Sequence, residues 1–252
     1  PRYAAPLGHA GATAALLVLA AGAACCAAWA TPVPALRLAL RTLAAGIALT
    51  GAVLGSAAGC AAGAVILLCS LAAGRVVRRG AWLAALAVVA ALVAGTVWAV
   101  AANAPTGGLS GVIEHLLTPR RVGLWRDALR LAGRNGGLGV GADRFGELSG
   151  PQPPQFDGKP HSAPLQLAAE QGLVGVFLLV AVFCWVLHAL WRAPRPTPVA
   201  LTAGTALTAL AVLASVGDAL SFTTVTAGAG LLAGWATARP WTGVGAEPDD
   251  PR

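Results

Sequence analysis

A chain of 252 residues that is 57% hydrophobic and 11% charged, with a mean hydropathy of +0.72, is far more apolar than a soluble domain of this length, and it reads as an integral membrane protein. Several apolar stretches reach the roughly 20 residues that a spanning helix needs, and none alternates as a barrel strand does, which predicts an all-α bundle. The net charge of +7 is explained by arginines in short connections and in one long polar segment, which argues against a nucleic-acid partner.

At the N-terminus there is no basic region followed by a short apolar core and a cleavage site, so no signal peptide is expected. The chain contains no methionine, even at position 1, and is expected to be the C-terminal part of a longer protein with further membrane helices upstream. Apolar stretches follow near 10–30, 35–50, 52–74 and 81–103, then near 167–190, 198–215 and 219–238, giving a polytopic bundle of about seven spans. They belong to a single membrane domain, 1–242, followed by a polar cytoplasmic tail, 243–252. Alanine and glycine saturate the spans, and small residues let helix backbones approach closely in lipid. Cys25, Cys26, Cys60, Cys69 and Cys184 all fall in apolar stretches and are expected to be small packing residues.

Short loops rich in lysine and arginine mark the cytoplasmic side. Placing Arg75, Arg78, Arg79, Arg192 and Arg195 inside also brings Arg37, Arg41 and Arg239 to that side. The long segment 104–166 then faces outward, which predicts an inner (cytoplasmic) membrane protein with an extracytoplasmic loop between the fourth and fifth spans. The stretch 120–175 carries seven of the seventeen basic residues, against the charge rule, and an anionic ligand is the simplest explanation. Membrane lipids are an expected partner as well, because Arg126, Arg130 and Arg134 recur every fourth residue and could meet anionic headgroups. Over 122–134 the pattern predicts an amphipathic helix on the membrane surface, with Leu124, Trp125, Ala128, Leu129 and Ala132 on its apolar side. Asn135, Gly136 and Gly137 are expected to stop it, and 151–154 is a proline-rich connector.

The candidate chemistry follows the loop. Ser162 is an N-cap candidate and Pro164 fits the first turn of a helix running through Glu170 into the fifth span. His161 then lies beside a partly positive helix end, which biases it toward its neutral, proton-accepting form. Glu170 either orients His161 or an acceptor hydroxyl, or pairs with an arginine for structural reasons. Arg120 and Arg121 precede the amphipathic helix, nearer the exit of the preceding span, and are better placed to reach inward than Arg126, Arg130 or Arg134. Planar guanidinium forks suit phosphate oxygens. His9, His115 and His188 have no comparable context, and Asp218 is expected to be a turn or cap residue. No metal-binding spacing occurs, Gly139 and Gly141 lack the strand context of a dinucleotide loop, and no cofactor is expected.

Arg121, Trp125, the Gly137-Leu138-Gly139-Val140-Gly141 turn with Phe145, His161 with Leu165, and Glu170-Gln171-Gly172-Leu173-Val174-Gly175 together resemble the O-antigen ligase and Wzy polymerase superfamily. The resemblance covers roughly 35–190, and its specific part is 121–175. It implies a GT-C-like membrane fold and a metal-independent, inverting glycosyltransferase. A glycan would pass from an undecaprenyl-diphosphate carrier to an acceptor hydroxyl on a glycan, lipid or protein. By that resemblance His161 is the general base and Arg121 holds the donor diphosphate, with Arg120 or Arg126 assisting and Glu170 and Ser162 in support. Ser162 replaces the family's usual asparagine, and 49–53 lacks the arginine of a common Ser-Arg-Gly, the nearest upstream being Arg41, about two turns too deep. The competing expectation is a non-catalytic membrane component or transporter that binds or moves lipid-linked glycans.

Overall fold

The computed structural model describes residues 10–54, 56–102, 119–134, 139, 141 and 162–239; for 10, 119–122, 131 and 134 the backbone alone is described. The described residues form α1 (Ala10–Ala30), α2 (Pro34–Val53), α3 (Ala57–Ala73), α4 (Arg79–Ala101), α5 (Pro119–Arg134), α6 (Ala163–Arg192), α7 (Thr197–Val216), a 3-10 turn (Ala219–Ser221) and α8 (Thr223–Thr237), with no strand among them. Five helices, α1, α2, α4, α6 and α7, are long and apolar enough to cross a membrane. About seven spans were expected; α3 and α8 stand where two of them were placed but have 17 and 15 residues. The segment carrying Arg37 and Arg41 forms a full 20-residue helix.

Burial ranks the helices. The apolar window of α7 is 72% buried and that of α1 is 61% buried, against 17% for α2 and for α6, so α1 and α7 form the centre and the others surround them. Large side chains such as Leu68, Leu92, Phe177 and Trp185 point outward, the arrangement lipid permits and water does not. Small residues set the closest approaches. A Cβ on Gly22 of α1 would lie 2.5 Å from Ala206 Cβ of α7, and one on Gly63 of α3 would lie 2.7 Å from Ala48 Cβ of α2. Cys25 and Cys26 belong to this core, whereas Cys184 is exposed on α6, so packing explains only some of the cysteines.

Polar contacts tie one end of the bundle together. Arg79 donates to the Leu190, Ala193 and Arg195 carbonyls and so caps the C-terminus of α6 from the start of α4. Arg195 reaches the Ala238 carbonyl and lies over Trp235, while Arg37 reaches the Thr31 carbonyl. Trp29 donates to Ser70, whose hydroxyl also accepts from Thr202, joining α1, α3 and α7. The short arginine-bearing connections therefore gather at one end. The C-terminus of α4, α5, the start of α6 and the turn at Asp218 lie at the other.

Candidate functional site at the loop end

Trp125 fixes the position of α5. It is completely buried, as is Ala128, in a small cluster with Val97, Val100 and Ala101 of α4 and Leu165 and Ala169 of α6. The apolar side of α5 is thus covered by protein and not left to the membrane surface, because an indole gains more from close packing against two helix ends than from lying on headgroups. Asp127 and Arg130, on the opposite side, form an exposed pair 3.6 Å apart, the one ion pair among the described residues. Arg120 and Arg121 occupy the first turn of α5, with Arg121 one turn before Trp125. Arg126 is half-buried, and its Nε is enclosed without a hydrogen-bond partner.

Ser162 is the N-cap of α6 and Pro164 stands in its first turn, where the sequence pattern put them. The serine hydroxyl does not cap, however. Pro164 removes one of the two amides a capping oxygen usually reaches, and Oγ is fully buried without a partner. Two turns on, Glu170 is 9% exposed, and Gln166 Nε2 donates to its Oε1 at 3.1 Å. The partner of Glu170 is therefore a glutamine one turn back on its own helix, and no arginine pairs with it among the described residues. An i, i+4 Gln–Glu spacing carried that signal in the sequence.

The glycines assemble the rest. Gly172 has φ 68° and ψ −157°, which breaks α6 into two helical pieces. Such a break opens a main-chain carbonyl to a partner outside the helix, and the Gly141 N–H donates to the Glu170 carbonyl at 2.9 Å. Gly139, at φ 75°, lies so close that a Cβ would meet the Glu170 oxygen at 2.4 Å and the Gly172 nitrogen at 2.6 Å. The Gly139–Gly141 turn, expected only to keep its backbone bare, docks on the Glu170–Gly172 break.

No known family, curated protein or solved structure matches this chain. The site must accordingly be judged on its own geometry. His161, the Asn135–Gly137 stop, the connector 151–154 and the tail 243–252 lie outside the described residues, as do the side chains of Arg120 and Arg121. Among the described residues, this end holds a buried serine hydroxyl at Ser162 and a guanidinium nitrogen at Arg126 with open hydrogen-bonding capacity, and a shielded carboxylate at Glu170. In the stretch 49–53, Gly51 packs against Cys60 N at 3.1 Å from its notional Cβ, and Ala52 is exposed. Arg41, expected about two turns too deep, does lie deep: it stacks over Trp29, 5.1 Å from the ring centre and roughly 15 Å along α2 from Gly51. Arg41 is therefore excluded from this site.

Proposed function

We propose that this protein is a membrane glycosyltransferase of the O-antigen ligase and polymerase type, GT-C-like in architecture and acting on the outer face of the cytoplasmic membrane. The observation that carries the reading is the Gly141 N–H bond to the Glu170 carbonyl, with Gly139 pressed against the same backbone. It brings together the Gly-x-Gly turn and the Glu-x-Gly segment, two pieces of the resemblance separated by about thirty residues. A second support is Trp125, whose burial holds the helix that begins with Arg120 and Arg121 against the start of α6.

In this reading the acceptor hydroxyl attacks the anomeric carbon of the lipid-linked sugar, the carbon–oxygen bond to the diphosphate breaks, and configuration inverts. His161 takes the acceptor proton, and the undecaprenyl diphosphate leaves as an anion. Arg121, with Arg120 or Arg126, would stabilise the charge that develops on the leaving group, and preorganised donors of that kind supply the larger share of such catalysis. Arg120 or Arg126, the latter half-buried with an unpaired Nε, would stand in for the arginine missing near Ala52. Ser162 and Glu170 would position the acceptor and the base. No step calls for a metal or cofactor.

His161→Ala tests the assignment in a strain whose surface glycan depends on this protein. Removal of a general base should lower transfer by about 10²–10⁴-fold while lipid-linked donor still binds. Unchanged glycan would end the catalytic reading, and donor binding by the wild type with no transfer to any acceptor would favour the non-catalytic component.

A further inference from the structure

The arginine end contains a cation that the described residues leave without an acceptor. Arg41 is half-buried on α2, about 10 Å along the helix from Pro34, and its guanidinium stacks over Trp29. It makes no hydrogen bond or ion pair with any described residue. One turn earlier, Arg37 spends one nitrogen on the Thr31 carbonyl and keeps a buried, unpaired Nε. Two guanidinium groups at i and i+4 repel, and one at this depth is costly without an anion or polar partner.

Arg41 also lines a cleft of about 270 Å³ among α1, α2 and α3, together with Cys25, Thr42, Ser70 and Leu71. That volume falls just below the ~300–1,000 Å³ of sites that enclose a whole drug-sized ligand, and it suits a small polar group whose remainder lies outside. Outside are apolar walls: Leu38, Leu43 and Leu71 are each about half exposed or more. Charge is one-sided here. Every described arginine outside α5 belongs to this end, and the described carboxylates, Asp127, Glu170 and Asp218, belong to the other.

We infer that this cleft binds the phosphate of an anionic phospholipid in the adjacent leaflet, with Arg41 donating to it and the acyl chains lying along the exposed leucines of α2 and α3. The inference does not rest on the transferase reading, since the cleft is at the opposite end of the bundle. A planar fork stacked on an indole is held ready for bidentate contact with phosphate oxygens, which a lysine would not reproduce. The net positive end selects an anionic lipid over a zwitterionic one.

Native mass spectrometry of the purified protein titrated with phosphatidylglycerol, phosphatidylcholine or inorganic phosphate tests it. Phosphatidylglycerol should bind the wild type at least about tenfold more tightly than Arg41→Gln, as expected for loss of charge-assisted hydrogen bonds. Arg41→Lys, which keeps the charge, should be weakened several-fold, and Arg192→Gln, exposed at the same end, by less than twofold. Equal weakening by Arg41→Gln and Arg192→Gln would overturn the site in favour of a diffuse charge effect. Displacement of the lipid by inorganic phosphate at equal concentration would overturn the lipid assignment, as would equal binding of phosphatidylcholine. If Arg41→Gln does not fold, Arg41→Lys decides, and wild-type affinity in that variant refutes the forked contact.

Discussion

Replacing Gly139 by alanine isolates the contact on which the site's assembly depends. At φ 75° an L-residue costs about 1–2 kcal/mol relative to glycine. The added Cβ would also fall 2.4 Å from the Glu170 oxygen, whereas ordinary contact begins near 3.4 Å, so the turn must retreat by about 1 Å. A retreat of that size breaks the 2.9 Å bond from Gly141 to Glu170, whose net worth is about 1 kcal/mol. The sum, about 2–3 kcal/mol, favours the undocked turn by roughly 30- to 150-fold more than in the wild type. Because the main core around α1 and α7 is not involved, global melting should be nearly unchanged. Hydrogen exchange at the Gly141 amide should accelerate by that factor, and under the proposed transferase function glycan transfer should fall with it. Gly133→Ala is the control: it lies in α5 with nothing within 4 Å of a Cβ, and it should leave exchange at Gly141 unaltered while favouring its helix by up to about 1 kcal/mol. Wild-type exchange at Gly141 in Gly139→Ala would refute the docking argument.

Trp125→Ala should cost about 3–5 kcal/mol at the α4–α5–α6 cluster, releasing 119–134 to proteolysis in detergent before the bundle melts; protection of that segment at wild-type level would contradict it. Gly22→Val places branched carbon where 2.5 Å separates a Cβ from Ala206, so α1 and α7 must part, and the melting temperature should fall by several degrees at least, measured by intrinsic fluorescence. Arg79→Ala uncaps the last carbonyls of α6, which should lower thermal stability by about 1–3 kcal/mol, and Arg79→Lys should restore only part of it because a single ammonium cannot reach three carbonyls in the same fork.

Helix positions were legible because lipid imposes a length rule, and the apolar windows announced α1, α2, α4, α6 and α7 to within a few residues. Arginine placement was legible for a related reason: Arg37, Arg79 and Arg195 are expensive in hydrocarbon and collect where carbonyls of helix ends accept them. The span number was less so, since α3 begins only after its N-cap Ser56 and the 3-10 turn at Ala219 shortens α8, both local backbone events beneath a hydropathy window. The burial of Trp125 was half legible. Its amphipathic period showed an apolar side, but the same period serves for lipid contact and for protein contact, and only the tertiary partners Val100 and Leu165 distinguish the two. Nothing in the sequence showed which backbone the Gly139–Gly141 turn would meet, because close approach is a property of two distant segments.

The two ends of the bundle are chemically opposite, and this separation favours a division of labour. At the loop end, polar groups are held back from solvent with capacity unspent, as at Ser162 Oγ and Arg126 Nε, while a carboxylate is kept at 9% exposure by a glutamine partner. Such groups cost stability unless something else completes them. At the arginine end, most of the capacity is already spent on carbonyls, as with Arg79 and Arg195, and the exceptions at Arg41 and Arg37 stand beside an apolar wall. A ligand completing the first set meets buried groups of Ser162, Arg126 and Glu170. One completing the second is a component of the leaflet, continuously present. Substitutions at the loop end should therefore, under the proposed transferase function, alter turnover with little effect on the assembled bundle, and substitutions at Arg41 should alter stability chiefly in membranes that supply anionic lipid.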